Sequence, residues 1–379
     1  MTGARFFIFA LLCLATNACQ LLGGLQVETV NVHTEKPSNV AAYVSVRKSG
    51  VPVEDLQIDQ FKVAEDGQVL DSKQVGLQLL DRNLAAAHHV LVLVDLSGPI
   101  DQSGALSLLA TQMAAFVERL RAKHSVSVWG FDGSDDLTAL GKFQRSGASS
   151  KPQTITKQDL GRLTAFTQKD SSSNLNGAVM HALTELGKEL GNTGKPISIG
   201  TLVIVARGPD LAGRTAEGAM ADAITDSPYQ VFAVTVGDEK DTRLPELLGP
   251  AGNSQVKYFE NLEVGLSEVA RQIESDYERY YLLSYCSPAR AGERTLVVSV
   301  TTHDGDGDAV TGDVDIPIDA KGFGSGCNAG APPFLERGHG APSAAPSESN
   351  TPSTSAETKD PATEAEPSAV PPPGDGYAH

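Results

Sequence analysis

The run Val90-Leu91-Val92-Leu93-Val94-Asp95 constrains this chain more than any other stretch. It is aliphatic throughout and has no polar alternation, so both faces of the extended segment must be buried. A central strand of a parallel sheet meets that demand. The run ends on Asp95-Leu96-Ser97-Gly98-Pro99, and open α/β sheets place their ligand site outside the carboxyl ends of their strands. From Ser103 to Ala122, Leu106, Leu109, Met113, Phe116, Val117 and Leu120 then recur at helical spacing.

The same alternation of strand and helix continues along the chain. Val126–Phe131 reads as a strand, Asn174–Leu190 as a helix, and Ile197–Val205 as a second fully buried strand. A helix over Thr215–Thr225, a strand over Gln230–Gly237, a short edge strand over Val256–Phe259 and a helix over Leu262–Tyr277 follow. This order implies a doubly wound, mostly parallel sheet covering residues 87–277. On either side the period falls to two, at Ala41–Val46 and Phe61–Val69 before it, and at Arg279–Tyr285, Thr295–Val300 and Val314–Ile318 after it. Three strands alone leave an apolar face wet. The segments 25–86 and 278–323 are therefore expected to form one split antiparallel β-sandwich into which the α/β unit is inserted.

Asp95-Leu96-Ser97-Gly98-Pro99 resembles the first metal-site loop of the von Willebrand factor A (vWA) family, which reads Asp-x-Ser-x-Ser. Gly50-Val51-Pro52-Val53 through Leu56, with Phe61-Lys62-Val63-Ala64-Glu65-Asp66-Gly67, resembles the segment that precedes this domain in bacterial exported vWA proteins. The likeness spans about Val40 to Lys321. It implies a site at which two Ser and one Asp from the first loop, a Thr from a second and an Asp from a third hold a divalent metal. On that alignment Asp95 and Ser97 keep their places, Pro99 replaces the second hydroxyl, and Ser173 stands for the Thr. Val203-Ile204-Val205-Ala206-Arg207-Gly208 puts Arg207 where the family has its second Asp.

A guanidinium stays charged at any working pH. At about 5 Å and an effective dielectric of about 20, a +1/+2 pair repels by about 6–7 kcal/mol. The site is thus expected to be degenerate and to hold no cofactor metal, Mg²⁺ being the alternative. Three arrangements stay open: an Arg207–Asp95 fork replacing the ion, Arg207 turned to solvent with Asp95 capping its loop, or Asp210 or Asp101 supplying a carboxylate. If the metal reading holds instead, Asp95, Ser97 and Ser173 are its ligands.

The leader carries Arg5 and then an apolar run from Phe6 to Ala15, too short to span a bilayer and typical of a secretory signal. Ala18-Cys19 after it resembles a bacterial lipobox, with Thr16 in place of the usual Leu, which implies a signal peptide over 1–18, acylation (palmitate) at Cys19 and a lipidated linker over 19–24; ordinary cleavage after Ala18 and an uncleaved anchor are the alternatives. Gln20 in place of Asp resembles outer-membrane sorting. Cys13 lies in the signal and Cys19 at the lipobox, leaving Cys286 and Cys327 as an even pair in an oxidising compartment, hence an expected disulfide. Residues 333–379 are rich in Pro, Ser, Thr and Glu and read as a disordered tail. The formal net charge of −17 argues against nucleic acid and anionic lipid surfaces as partners.

Other clusters carry less. His303-Asp304-Gly305-Asp306-Gly307-Asp308 alternates like calcium ligands but lacks a downstream bidentate Glu, and reads as a hairpin turn. His88 and His89 read as cap or surface residues ahead of the buried strand. Asp132, Asp135 and Asp136, like 237–241, read as solvated loop. No nucleophile elbow or phosphate-cradling loop is present, so no enzyme is expected. The expectation is a lipid-anchored cell-envelope protein that binds a protein partner, with metal-dependent adhesion and an assembly scaffold recruiting through the tail as alternatives.

Overall fold

A computed structural model describes residues 24–98, 104–146, 154–193, 195, 197–237 and 243–332. The leader, Cys19, Pro99, Asp101, most of 237–241 and the 333–379 tail lie outside them. The chain begins with antiparallel strands: β1 (Leu25–Glu35), β2 (Asn39–Lys48), β3 (Val51–Pro52), β4 (Phe61–Glu65), β5 (Gln68–Val69) and β6 (Gln78–Leu80). Then come β7 (Ala86–Asp95), α1 (Ala105–Leu120), β8 (Ser125–Phe131), β9 (Thr138–Phe143), α2 (Gly161–Thr164), α3 (Leu175–Gly191) and β10 (Ile197–Ala206). This unit closes with α4 (Glu217–Thr225), β11 (Gln230–Val236), α5 (Arg243–Leu248), β12 (Gly252–Val256) and α6 (Leu262–Glu278). The chain returns through β13 (Tyr280–Cys286), β14 (Glu293–His303) and β15 (Ala309–Asp319).

The α/β sheet runs β12-β11-β10-β7-β8-β9, parallel except for β9. β7 is central, and its side chains explain the uninterrupted apolar run. Val90, Val92 and Val94 face a core shared with α1 and α6, while Leu91 and Leu93 face the core of α3, α4 and α5. β7 leads through α1 to β8 on one side, and β10 pairs on the other. The winding order therefore reverses at β7, so the carboxyl ends of β7 and β10 form the switch point outside which open α/β sheets place their ligands.

The flanking strands interleave across the insertion. β13 lies between β2 and β6, and β14 pairs with β4, so two sheets with strands from both segments enclose one core. The chain's two crossings lie side by side: the Arg82 guanidinium donates to the Tyr277 carbonyl at 2.7 Å and pairs with Glu278 at 2.9 Å. That proximity is what an inserted domain needs. The Cys286–Cys327 disulfide ties the end of β13 to the segment after β15.

Some elements differ from the sequence reading. β2 and β13 are buried on both faces rather than half-buried. Val40, Ala42 and Val44 enter the sandwich core, whereas Ala41, Tyr43, Tyr280 and Leu282 pack against Ala85, Ala86 and Ile197 at the foot of the α/β unit. β9 was not foreseen; it is an edge strand with Gly141 and Lys142 in a sequence poor in β-branched residues. The other edge strand is β12 over Gly252–Val256, ahead of the expected Val256–Phe259, because pairing with β11 and not local apolarity defines it.

His88 and His89 also correct their expected place. They lie within β7, whose pairing with β10 extends back to Ala86, and the sandwich covers that end. His88 is buried, within 3.1 Å of the Tyr43 hydroxyl, with its ring edge-on to Tyr277 at 4.6 Å. The Asp304 turn does close the β14–β15 hairpin: its carboxylate accepts the Asp306 and Asp308 amides at 3.0 and 2.9 Å.

Candidate functional site

Three loops at the carboxyl edge of the sheet meet at Asp95. This residue ends β7; Ser97 follows it, Ser173 precedes α3, and Arg207 follows β10. The Asp95 side chain is 2% exposed, and its two oxygens face inward donors. Oδ1 accepts the Ser97 amide at 2.9 Å. Oδ2 accepts the Arg207 amide at 3.3 Å and the Ser173 hydroxyl at 3.4 Å. One carboxylate thus links all three loops.

Asp101 lies outside the described residues, and the Arg207 side chain takes neither of the two paths left open for it by the sequence. Among the described residues it forms no fork with Asp95, and it is held in place rather than free. Its Nη1 donates to the Ser97 carbonyl at 2.6 Å, and its guanidinium carbon lies 5.5 Å from the centre of the Phe259 ring. Gly98 forms the floor beneath it: its φ of +68° is left-handed, which glycine adopts without strain. A Cβ added at Gly98 would stand 3.7 Å from Nη1. Asp210 is not available to Asp95's pocket as a spare carboxylate. Its Oδ2 accepts the Asn176 amide at 2.9 Å, capping the start of α3, and its Oδ1 accepts the Gly213 amide at 2.7 Å.

The sequence reading missed the group that holds the Ser173 loop. Asp132 is buried, not a solvated loop residue. Its Oδ1 accepts from the Ser134 amide and hydroxyl at 2.8 and 2.6 Å, and its Oδ2 from the Lys169 and Asp170 amides at 2.7 and 3.3 Å. Burial alone raises a carboxyl pKa, but here the Ser134, Lys169 and Asp170 donors outweigh it and lower the value. Gln168 then reaches across to the Leu96 and Gly98 carbonyls, and the Gly98 amide donates to the Ser171 carbonyl at 2.9 Å. The Asp-x-Ser pattern of Asp132-Gly133-Ser134 was a readable sign of such a turn. Asp135 and Asp136 are exposed and pair with Arg214 and Lys169.

Among the described residues, the donor set does not fit a resident dication. It offers one carboxylate and two hydroxyls among the described residues, with a permanent cation seated on the first loop, where hard ions need several oxygen ligands.

No protein-family model matches the sequence, and no curated protein matches it. Among solved structures, the chain is similar to a von Willebrand factor type A protein from Catenulispora acidiphila, at 9% identity and TM-score 0.40, over 78% of this chain and 73% of that one. It is also similar to the manganese-loaded TRAP protein of Plasmodium vivax, at 12% identity and TM-score 0.38, over 65% and 97%. A third is the PilB minor pilin of Streptococcus sanguinis, at 10% identity and TM-score 0.35, over 66% and 78%. At such identities the site rests on its own residues.

Proposed function

We propose that this chain is a vWA-type binding module of the bacterial cell envelope, lipid-anchored at Cys19, which engages a protein partner through the loops around Asp95 without a metal ion. The observation that carries the reading is the seating of Arg207. Its backbone amide helps hold Asp95 in the role of a loop staple, and its side chain places a fixed positive charge at the switch point. A partner carboxylate meets that charge directly, and Arg offers a planar fork for it.

The surrounding loops add apolar anchor points. Leu211 is 72% exposed beside Ser173, whose carbonyl accepts the Leu211 amide, and Tyr258 is 56% exposed next to Phe259. Large exposed apolar side chains beside a polar centre are the makings of a protein interface. Among the described residues, the Asp95 carboxylate is taken up by the Ser97 and Arg207 amides and the Ser173 hydroxyl, an arrangement that suits a binding surface.

Crosslinking in the native envelope, read by mass spectrometry, tests the reading with Arg207→Gln and Leu211→Ser beside the wild type. Loss of the same crosslinked partner in both variants supports it; an unchanged partner set overturns it. Calorimetry with Mg²⁺ and Mn²⁺ tests the metal-free part. No saturable heat is expected from the wild type, and saturable binding lost in Asp95→Ala overturns it. Labelling with a radioactive fatty acid tests the anchor: the wild type is expected to be labelled and Cys19→Ala unlabelled.

A further inference from the structure

A second cleft opens at the other edge of the same sheet, where β7 and β8 begin. It is a cavity of about 540 Å³, within the size range of small-ligand sites. Lys142 at the end of β9, Arg145 just beyond it, Lys195 ahead of β10, His89 and Glu189 supply its charged and titratable wall, together with the buried His88. Three permanent cations therefore face one carboxylate, in a chain whose formal net charge is −17.

Glu189 is already engaged. Its side chain is 10% exposed, and Oε2 accepts the Ser127 hydroxyl at 2.7 Å and meets His89 Nε2 at 2.5 Å. Lys142 Nζ stands 2.7 Å from Oε1. Burial would raise this carboxyl, yet His89, Lys142 and Ser127 pull it down to about 2, so it stays an anion. The trio is not a catalytic relay. One imidazole nitrogen faces both the Ser127 hydroxyl, at 3.0 Å, and Glu189, whereas a relay needs one nitrogen for each. Ser127 is also fully buried, out of reach of a substrate.

The remaining cations are less occupied. Lys195 donates to the Leu84 carbonyl at 2.9 Å, which directs its ammonium without neutralising it. Arg145 is exposed, and its guanidinium has no hydrogen bond or ion pair among the described residues. Its charge is felt inside the wall: with burial and His124, it helps hold His88 neutral. A fork of donors without an acceptor, beside two ammonium groups in a concave site, is an oxyanion receptor in its chemistry.

We propose that this cleft binds a small multivalent oxyanion, a phosphate or polycarboxylate group, held by Arg145 and flanked by Lys142 and Lys195. Glu189 serves as the wall group that fixes Lys142 and His89. The site is separate from the Asp95 loops, at the opposite edge of the sheet, and does not depend on how they function.

Calorimetric titration of the full chain with pyrophosphate and with citrate, at matched ionic strength, tests it. Saturable single-site binding with a Kd of about 1 mM or tighter is expected for at least one probe. Arg145→Gln and Lys195→Gln should each weaken it about tenfold, the worth of one charge-assisted hydrogen bond. Arg271→Gln removes the same charge from the exposed face of α6 and should leave it unchanged. Binding of pyrophosphate alone assigns a phosphate ligand, and of citrate alone a carboxylate ligand. No saturable heat with either probe up to about 10 mM, or equal weakening by Arg145→Gln and Arg271→Gln, overturns the proposal.

Discussion

His124 should set a large part of this protein's acid sensitivity. It lies between α1 and β8, 3% exposed, with its ring edge-on to Tyr277 at 5.0 Å and to His88 at 5.9 Å. Its Nε2 has no hydrogen-bond partner among the described residues. Burial, aided by the charges of Lys123, His89 and Arg145, lowers its pKa from 6.5 to about 3. An unfolded chain takes up this proton as the pH falls through about 6.5, while the folded chain refuses it until about 3. The unfolded state binds more protons throughout that window, so stability is complete above it and declines as the solution is acidified. Each pH unit below 6.5 costs about 1.4 kcal/mol, or about 2 kcal/mol at about pH 5 from this one ring.

His124→Phe keeps an aromatic ring against Tyr277 and removes both the titration and the unpaired nitrogen. Urea unfolding of the disulfide-intact protein at about pH 7.5 and about pH 5 gives the comparison. Other titrating groups cancel between wild type and variant. The variant should gain about 2 kcal/mol relative to wild type between the two pH values. Parallel pH profiles for the two proteins would refute the claim that His124 is buried in its neutral form.

Other outcomes follow from the same contacts. Asp132→Ala should cost about 2–4 kcal/mol, since it strands several donors, and hydrogen exchange should accelerate first over 169–174; a uniform acceleration would argue against a local role. Cys286→Ser with Cys327→Ser opens a cross-link of sequence separation 41 and should lower stability by about 4 kcal/mol, seen as a lower urea midpoint. Glu189 is held at about 2 against an ordinary 4.5, so its stabilisation is present above 4.5 and is lost as the pH falls toward 2. The stability gap between wild type and Glu189→Gln should therefore narrow on acidification across that window, and a constant gap would count against the His89–Lys142–Ser127 cluster.

Much of the architecture was legible because burial on two faces leaves an unmistakable trace. Val90–Val94 serves two cores at once and reads as continuous apolar sequence. The same physics misled at Tyr280–Tyr285, where Tyr281 and Leu283 enter the sandwich while Tyr280 and Leu282 face the α/β unit. A period-two strand looked half-wet there because nothing local announces that a second unit covers its outer face. β9 and β12 left weaker signals, since edge strands owe their form to one neighbour's hydrogen bonds rather than to their own side chains. The histidines failed for a related reason: His88 meets Tyr43, 45 positions away in sequence, and no spacing rule reaches that far.

At the site, the residues were legible and their geometry was not. A fixed charge at Arg207 can be read from one position, but where it points depends on two distant groups, the Ser97 carbonyl and the Phe259 ring. The backbone of Arg207 matters as much as its charge, because its amide joins Ser97 and Ser173 in engaging Asp95. A carboxylate in that position need not attract an ion to be retained. Buried with three donors around it, its removal would leave two amides and a hydroxyl facing each other without an acceptor, and the loops would have to move apart. The same substitution therefore has separable consequences: Asp95→Asn, which keeps an acceptor oxygen, should preserve the loop arrangement better than Asp95→Ala, whether or not a partner depends on the charge.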